Sequence, residues 1–301
     1  MHIPDMMITG AVCPATGALA AVGLAGAAYA AYKTKIKPAA ALFAGVTAMI
    51  FAAQMTNFPI FEGTSGHLLG ATLAVVLLGS AFGIMAMSLV VITQCLIFAD
   101  GGISVLGANL LNIALLASLP AVLVRELLFR ESLSTVSKNT MYVTAAFLST
   151  LVAATACAVQ LAIAGVSPLQ TVLPAMLYYH VLIALAEAGL TLALLVIFAQ
   201  VAAKVAPQRA WIVPLGFAAV VAVLISPFGS GSPDGLMSAA GALGFAHLAG
   251  EFFVAPVDYV VSAVSSEALA TAIAGFIGIA LVFAVAYGTG RAFARSEKRS
   301  M

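Results

Sequence analysis

Residues 170–203 read QTVLPAMLYYHVLIALAEAGLTLALLVIFAQVAA, a stretch in which Glu187 is the only charged side chain. An apolar run of this length exceeds the ~20 residues that a helix needs to cross the hydrocarbon core of a bilayer. The whole chain has the same character, because 63% of its 301 residues are hydrophobic and 8% are charged, against roughly 25% charged in ordinary soluble domains. The sequence therefore predicts an all-α polytopic membrane protein and excludes a soluble one.

Apolar runs between glycine, proline and charged residues predict about nine transmembrane helices, near residues 11–32, 38–57, 67–81, 83–99, 103–124, 139–164, 170–203, 210–228 and 267–289. The twelve basic residues fall into four sets between these runs: Lys33, Lys35 and Lys37; Arg125, Arg130 and Lys138; Lys204 and Arg209; Arg291, Arg295, Lys298 and Arg299. Because cytoplasmic loops of membrane proteins are enriched in Lys and Arg, this pattern predicts an outside N-terminus and a cytoplasmic C-terminus.

Several functions are disfavoured by composition alone. The net charge of +1 gives no indication of a nucleic-acid partner. Cys13, Cys95 and Cys157 are far apart and form no CxxC motif, so we expect neither a disulfide framework nor a thiolate metal cluster. The first ten residues contain no Lys or Arg, unlike the start of a signal peptide, so the mature chain is expected to begin at Met1.

A histidine at position 2 has a chelating property that it has nowhere else in a chain. The terminal amine, the amide nitrogen of His2 and its imidazole can close fused rings around one metal ion. These nitrogens lie nearly in one plane and leave a fourth planar position open, an arrangement that favours Cu(II) or Ni(II), while imidazole also suits cobalt. Because the amine and the imidazole bind metal only when unprotonated, affinity is expected to rise with pH through neutrality.

His67 is the natural fourth nitrogen donor. It ends the glycine-rich segment Glu62-Gly-Thr-Ser-Gly-His67, which lies on the same predicted outer side as Met1. Taken alone, these residues also allow the simpler interpretation that the histidine at position 2 is accidental and has no metal role.

Three segments extend the pattern: Met1-His2-Ile3-Pro4-Asp5, residues 57–70 (NFPIFEGTSGHLLG) and residues 94–112 (QCLIFADGGISVLGANLLN). Together with Tyr179-His180 and Ala186-Glu187, they resemble the CbiM/NikM family, the substrate-capture membrane subunits of cobalt and nickel energy-coupling factor transporters. The resemblance covers residues 1–205, for which it implies seven of the predicted helices.

The resemblance implies that Ni²⁺ or Co²⁺ is held by the amine of Met1, the amide and imidazole of His2, and His67. It also implies partners, namely a transmembrane coupling subunit and a pair of ABC ATPases in a bacterial or archaeal plasma membrane. Since the chain has no GxxxxGK[ST] phosphate-binding loop, ATP hydrolysis is expected to come from those partners.

Residues 206–301 resemble a second module, the two-helix CbiN or PDGLE-type auxiliary subunit, here fused to the first. The resemblance rests on Ser232-Pro233-Asp234-Gly235-Leu236 in a long outer segment, where Met237 replaces the usual acidic residue. An amphipathic apolar stretch follows over residues 236–264. On sequence chemistry alone, Pro-Asp-Gly is mostly a turn signal.

Four polar residues are candidates to support the metal ligands: Ser65, Gln94, Asn109 and Asn112. Within a bundle, the amides could bond to the glycine-rich loop or to the N-terminal segment. Equally, they could form ordinary hydrogen bonds between helices.

Glu187 is unusual because a carboxylate in the middle of a membrane helix is costly and should face the bundle interior. His180, seven residues earlier, lies on nearly the same helical face. The favoured interpretation is a buried structural pair between the two, and the alternative is a role of these residues in transport.

Three function classes remain after these observations. The leading hypothesis is a non-enzymatic substrate-binding component that captures Ni²⁺ or Co²⁺ for ATP-driven import. An intramembrane metalloenzyme is the alternative, although the chain lacks HExxH and only Glu62 lies close to His67 as an acid–base group. A stand-alone divalent-metal carrier is the third class, supported by Glu187 alone.

Overall fold

The computed structural model describes residues 1–61, 63–128, 133–252 and 264–298. Its helices are α1 Val12–Lys33, α2 Ala40–Gln54, α3 Ala71–Leu78, α4 Ser80–Phe98, α5 Leu106–Leu127, α6 Thr135–Ile163, α7 Leu169–Ala202, α8 Pro207–Phe228, α9 Gly235–Leu243 and α10 Glu267–Lys298. A short antiparallel hairpin of β1 Phe58–Phe61 and β2 Thr64–Gly66 connects α2 to α3, with Phe58 opposite Gly66. Three residues named in the sequence interpretation, Glu62, Arg130 and Arg299, lie outside the described ranges, as does part of the amphipathic stretch.

Among the described residues, seven helices are long and apolar enough to cross a membrane: α1, α4, α5, α6, α7, α8 and α10. The predicted multi-pass helical membrane protein is therefore confirmed. Two of the nine predicted crossings are shorter than expected. The helix predicted over 38–57 is the 15-residue α2, and the helix predicted over 67–81 forms only at Ala71 and ends at Leu78.

The short helix α2 lies at the centre of the core. Every residue from Phe43 to Gln54 is buried, and α2 packs against α4, α8 and α10. Phe51 of α2, for example, contacts Phe98 of α4 with ring centroids 5.3 Å apart. The C-terminal helices α8 and α10 thus share one hydrophobic core with the N-terminal part of the chain.

The non-helical backbone that precedes α3 is held by Glu187. This carboxylate lies 18 residues into α7, about 27 Å along a helix that rises ~1.5 Å per residue, and it is buried. Its two oxygens accept hydrogen bonds from the backbone N–H of Leu69 at 2.6 Å and of Gly70 at 2.8 Å. Backbone outside a helix is tolerated at membrane depth only when its polar groups are paired, and Glu187 supplies that pairing.

Glu187→Ala is expected to destabilise the fold strongly. The substitution leaves two buried N–H donors without an acceptor, and each such group costs about 1–3 kcal/mol. Thermal unfolding in detergent measures the effect, with Glu126→Ala as a control because Glu126 is an exposed acidic residue of α5. An unfolding temperature of Glu187→Ala equal to that of the control would contradict this role.

Candidate metal centre

The N-terminal segment is held through the backbone of Ile3, which contacts Asn109 of α5 and Gly102 of the loop before it. Asn109 makes two hydrogen bonds with Ile3: its Oδ1 accepts from the Ile3 N–H at 2.8 Å, and its Nδ2 donates to the Ile3 carbonyl at 3.0 Å. The N–H of Gly102 donates to the same carbonyl at 2.9 Å. Because the Ile3 side chain is fully buried, residues 1–3 have a fixed position inside the bundle.

Gly102 allows the N-terminal segment to pack closely against the loop that precedes α5. A Cβ atom at this position would stand 2.3 Å from the backbone nitrogen of Asp5, well inside van der Waals contact. Asp5 holds the N-terminal segment in place with two further hydrogen bonds. Its Oδ1 accepts from the N–H of Ser104 at 2.8 Å, and its Oδ2 accepts from the N–H of Phe252 at 3.3 Å. The contact with Phe252 links the N-terminal segment to the C-terminal part of the chain.

The terminal amine lies between a histidine and a carboxylate. Its nitrogen is 3.3 Å from His67 Nε2 and forms an ion pair with Asp234 Oδ2. Asp234 is held in turn as the N-cap of α9, where its Oδ1 accepts from the N–H of Met237 at 2.9 Å. Met1 is buried, so this amine is enclosed by the bundle.

The two predicted histidine ligands face each other. The rings of His2 and His67 stack with centroids 5.7 Å apart and an interplanar angle of 21°. His2 Nδ1 lies 3.1 Å from Asp100 Oδ1. The structure therefore brings together three of the predicted donors, the amine, the His2 ring and the His67 ring, although they come from positions 1, 2 and 67 of the chain.

The hydrogen bond of His67 fixes which ring nitrogen can bind a metal. Its Nδ1 lies 3.1 Å from the carbonyl oxygen of Leu68. A carbonyl can only accept, so Nδ1 carries the proton and Nε2 presents its lone pair toward the amine. Burial, followed by the nearby amine and His2, lowers the pKa of His67 to about 3. His67 is thus a neutral donor at physiological pH and has no proton to lose when an ion binds.

Asp100 and Asp234 place negative charge beside the His2 ring and the terminal ammonium. Burial alone would raise the pKa of Asp234, but the terminal ammonium outweighs it and the pKa falls to about 2. The pKa of Asp100 is held well below its usual range by His2, again against the effect of burial. Both carboxylates are therefore ionised, and each is paired with one of the predicted chelating groups.

The four predicted supporting residues have different roles. Asn109 contacts the N-terminal segment, whereas Asn112 exchanges two hydrogen bonds with Gln160 of α6, at 2.8 and 2.7 Å, and so links two helices. Ser65 Oγ donates to the carbonyl of Ser232 at 2.7 Å and thereby joins the glycine-rich loop to the segment that carries Asp234. The Gln94 amide group is buried and has no hydrogen-bond partner among the described residues.

The predicted pair between His180 and Glu187 is wrong. The Glu187 carboxylate binds the backbone of Leu69 and Gly70 instead, and His180 Nδ1 lies 2.7 Å from the carbonyl of Met176. The reason is that the non-helical segment next to α7 presents two backbone N–H donors, which satisfy the hydrogen-bonding capacity of a carboxylate better than one imidazole does. Cys13, Cys95 and Cys157 have free thiols in the structure.

Sequence reasoning missed Asp100 and assigned Asp234 to a turn. Asp100 lies in a short loop after α4, and such an Asp-Gly-Gly segment gives no sign of an ion pair with residue 2. For Asp234 a signal existed in the Ser-Pro-Asp-Gly-Leu motif, but its contact with Met1 spans 233 positions.

Asn109→Ala is expected to weaken metal binding by about 10–100-fold, the range typical of groups that orient ligands without touching the ion. The reason is that residues 1–3 lose two of the hydrogen bonds that hold them. Asn112→Ala is the matched control, because Asn112 bonds to Gln160 and not to the N-terminal segment. Isothermal titration with Ni²⁺ in detergent compares the two variants, and equal affinities would contradict the assignment.

The arrangement can present several nitrogen donors to one ion only if the terminal amine takes part. Within the part of the chain that the structure describes, no three His, Cys, Asp or Glu side chains form a group able to hold a metal ion. The imidazole nitrogens of His2 and His67, together with the amine, are the donors that the fold gathers at one point.

Known proteins similar to this chain are named as cobalt or nickel transport proteins. The family model described as the cobalt uptake substrate-specific transmembrane region matches residues 2–205. A putative fused nickel transport protein NikMN from Archaeoglobus fulgidus is 32% identical over 304 residues, which cover 97% of this chain and 98% of that protein. The fused nickel transport protein NikMN of Rhodobacter capsulatus is 41% identical over 86 residues, which cover 29% of this chain and 25% of that protein.

A solved structure of a transition metal transporter has the same fold over most of its length. The similarity has a TM-score of 0.58 and 28% sequence identity, and it covers 70% of this chain and 98% of that one. A truncated transition metal transporter gives the same score over 66% of this chain and 99% of its own.

Proposed function

The chain belongs to the cobalt uptake substrate-specific transmembrane family, and we propose that within it this protein captures Ni²⁺ or Co²⁺ for import driven by partner ATPases. The ion is bound by the Met1 amine, the amide nitrogen and imidazole of His2, and His67 Nε2. The observation that carries the proposal is the 3.3 Å approach of the Met1 nitrogen to His67 Nε2, beside the stacked His2 ring.

Binding of the ion replaces two ion pairs at the site with bonds to the metal. The amine and His2 Nδ1 leave Asp234 and Asp100 when they turn to the ion, and His67 needs no such change because its Nε2 already faces the amine. The two carboxylates remain close by as counter-charges to a divalent cation. This balance keeps a charged site tolerable inside a bundle, where an uncompensated charge would be costly.

The chain is proposed to act as two fused modules, residues 1–205 and 206–301, with ATP hydrolysis supplied by other subunits. The Archaeoglobus fulgidus relative, whose similarity extends over both modules, is named a putative fused nickel transport protein. In this chain the second module contributes Asp234 to the metal centre and the helices α8 and α10 to the core. Names of relatives as transport proteins also support transport over the metalloenzyme alternative.

Metal analysis of the purified protein tests the proposal most directly. The protein carries only a C-terminal tag, so that the amine stays free, and is loaded with Ni²⁺ or Co²⁺ at mildly alkaline pH. We expect about one tightly bound ion per chain, with affinity that falls as the pH is lowered because protons compete with the ion for nitrogen donors. Absence of bound nickel and cobalt under these conditions would refute metal capture.

A further inference from the structure

His180 has an unused ring nitrogen inside the membrane-spanning helix α7. The side chain is 1% exposed, and its Nδ1 lies 2.7 Å from the carbonyl oxygen of Met176. Because that oxygen can only accept, Nδ1 carries the proton and Nε2 has a free lone pair. Nε2 has no hydrogen-bond partner among the described residues, and a buried polar atom left unpaired normally costs about 1–3 kcal/mol.

His180 opens onto the same small cavity as the metal centre. Met1, His67, Thr150, His180 and Asp234 all line this cavity. Thr150 Oγ1 is also buried and without a partner in the described structure, so two unpaired polar groups face one enclosed space. Such a combination indicates a space that is filled by a polar occupant, since unpaired polar groups rarely persist in a core.

Gly235 brings the Asp234 segment against the His180 ring. A Cβ atom at position 235 would lie 2.8 Å from His180 Cε1 and 3.1 Å from Nε2, so only glycine permits this contact. The Nε2 edge of the ring therefore faces the start of α9, where the Asp234 carboxylate is located.

His180 and His67 have the same hydrogen-bonding arrangement. In each ring Nδ1 is bonded to a backbone carbonyl, and Nε2 points away from it. This is the arrangement of most metal-binding histidines, because the bond at one nitrogen fixes the tautomer and orients the other toward the ion. An imidazole nitrogen with a carboxylate and a hydroxyl oxygen is a suitable donor set for a divalent first-row transition ion.

We propose that His180 Nε2, with the Asp234 carboxylate and Thr150 Oγ1, forms a second position for the same divalent ion, within the cavity that Met1 and His67 also line. The proposal rests on the proposed function and describes the step after capture. Fewer nitrogen donors make this second position weaker than the capture site, and an ion that must move on needs weak successive sites. Asp234 becomes available there once the amine has turned to the ion.

The second position is tested first by binding, with the capture site weakened. His67→Ala protein is titrated with Co²⁺, and its visible absorption reports the ligands of the ion. We expect His67→Ala to bind two Co²⁺ ions weakly, one at the remaining chelate of Met1 and His2 and one at the second position, and the double variant His67→Ala/His180→Gln to bind only the first. Equal numbers of bound Co²⁺ ions and equal absorption in the two variants overturn the second position. This outcome is distinct from failure of the capture proposal, which would appear as loss of tight binding in the unmodified protein.

Uptake provides the second readout, with the complete transporter in vesicles and ⁶³Ni²⁺ as the probe. We expect His180→Gln to leave tight capture unchanged and to lower the uptake rate by ~10-fold or more, an effect of the size typical when a group that supports a metal site is removed. Thr150→Val should lower uptake as well and tests the proposal even if His180→Gln does not fold. Thr191→Val is the matched control, since Thr191 is buried and unpaired but lies outside the cavity. Uptake by Thr150→Val and His180→Gln equal to that of the control overturns the proposal.

Discussion

Acetylation of the Met1 amine is expected to abolish tight Ni²⁺ binding. The modification removes the donor that lies 3.3 Å from His67 Nε2 and also the charge that pairs with Asp234. Both histidines remain in place, so the experiment separates a chelate that uses the amine from a site made only of side chains. The readout is metal content after acetylation, with modification of Met1 verified by mass spectrometry.

The ion itself provides the control for this experiment. Protein that is acetylated after loading with Ni²⁺ should keep a free terminal amine, because the ion occupies its lone pair, while its lysines are modified as before. Such protein should retain its metal and bind it again after removal and reloading. If both samples bind Ni²⁺ equally and both carry an acetylated Met1, the amine is not a ligand.

Addition of one glycine before Met1 makes a complementary test of the same donor. The histidine then becomes the third residue, and an amine, two amides and an imidazole can fill all four planar positions without His67. We therefore expect ions to bind but uptake of ⁶³Ni²⁺ or ⁵⁷Co²⁺ to be lost, at equal expression and with partner subunits present. Undiminished uptake by the extended protein would leave His2 at most an ordinary imidazole donor.

His67→Ala is expected to weaken binding by more than the ~100-fold limit typical of groups that only orient ligands. The substitution removes one of four donors and leaves a tridentate chelate open to water. The bundle should still fold, because the bonds that fix the loop come from Ser65 and from Glu187. Isothermal titration gives the affinity, and thermal unfolding shows whether the fold is kept.

The order of effects among variants is the decisive comparison. His67→Ala should be far more harmful to affinity than Asn109→Ala, since Asn109 acts only through the backbone of Ile3. A critical Asn109 and a dispensable His67 would require the ligand assignment to be abandoned.

Local sequence was enough to predict the helical membrane class and the donors that meet in the structure. Apolar runs predict most spans because helix length and hydrophobicity are local properties. A histidine at position 2 predicts a chelate because the chelate rings form within two adjacent residues. The shortness of α3 was not predictable in this way, since Leu68 and Leu69 continue the apolar run of the helix, and their non-helical backbone is held by Glu187, more than 100 positions away.

The missed contacts share this non-local origin. Asp100 and Asp234 appear in the sequence as turn residues, and only the folded chain brings them to His2 and Met1. The error about His180 has the same cause. Spacing correctly placed it on the face of Glu187, but spacing does not show which neighbouring helix or loop offers a better partner for either side chain.

The ion pair between Met1 and Asp234 also sets an order of events during synthesis. The two residues are 233 positions apart, so at the ~5–20 residues per second of translation Asp234 is made roughly 10–50 s after Met1. For that interval the terminus has no carboxylate from α9 to enclose it, and enzymes that process nascent chains can reach it. Once α9 has docked, Met1 is buried. Enzymatic processing of the terminus is therefore expected to take place during synthesis, before α9 docks.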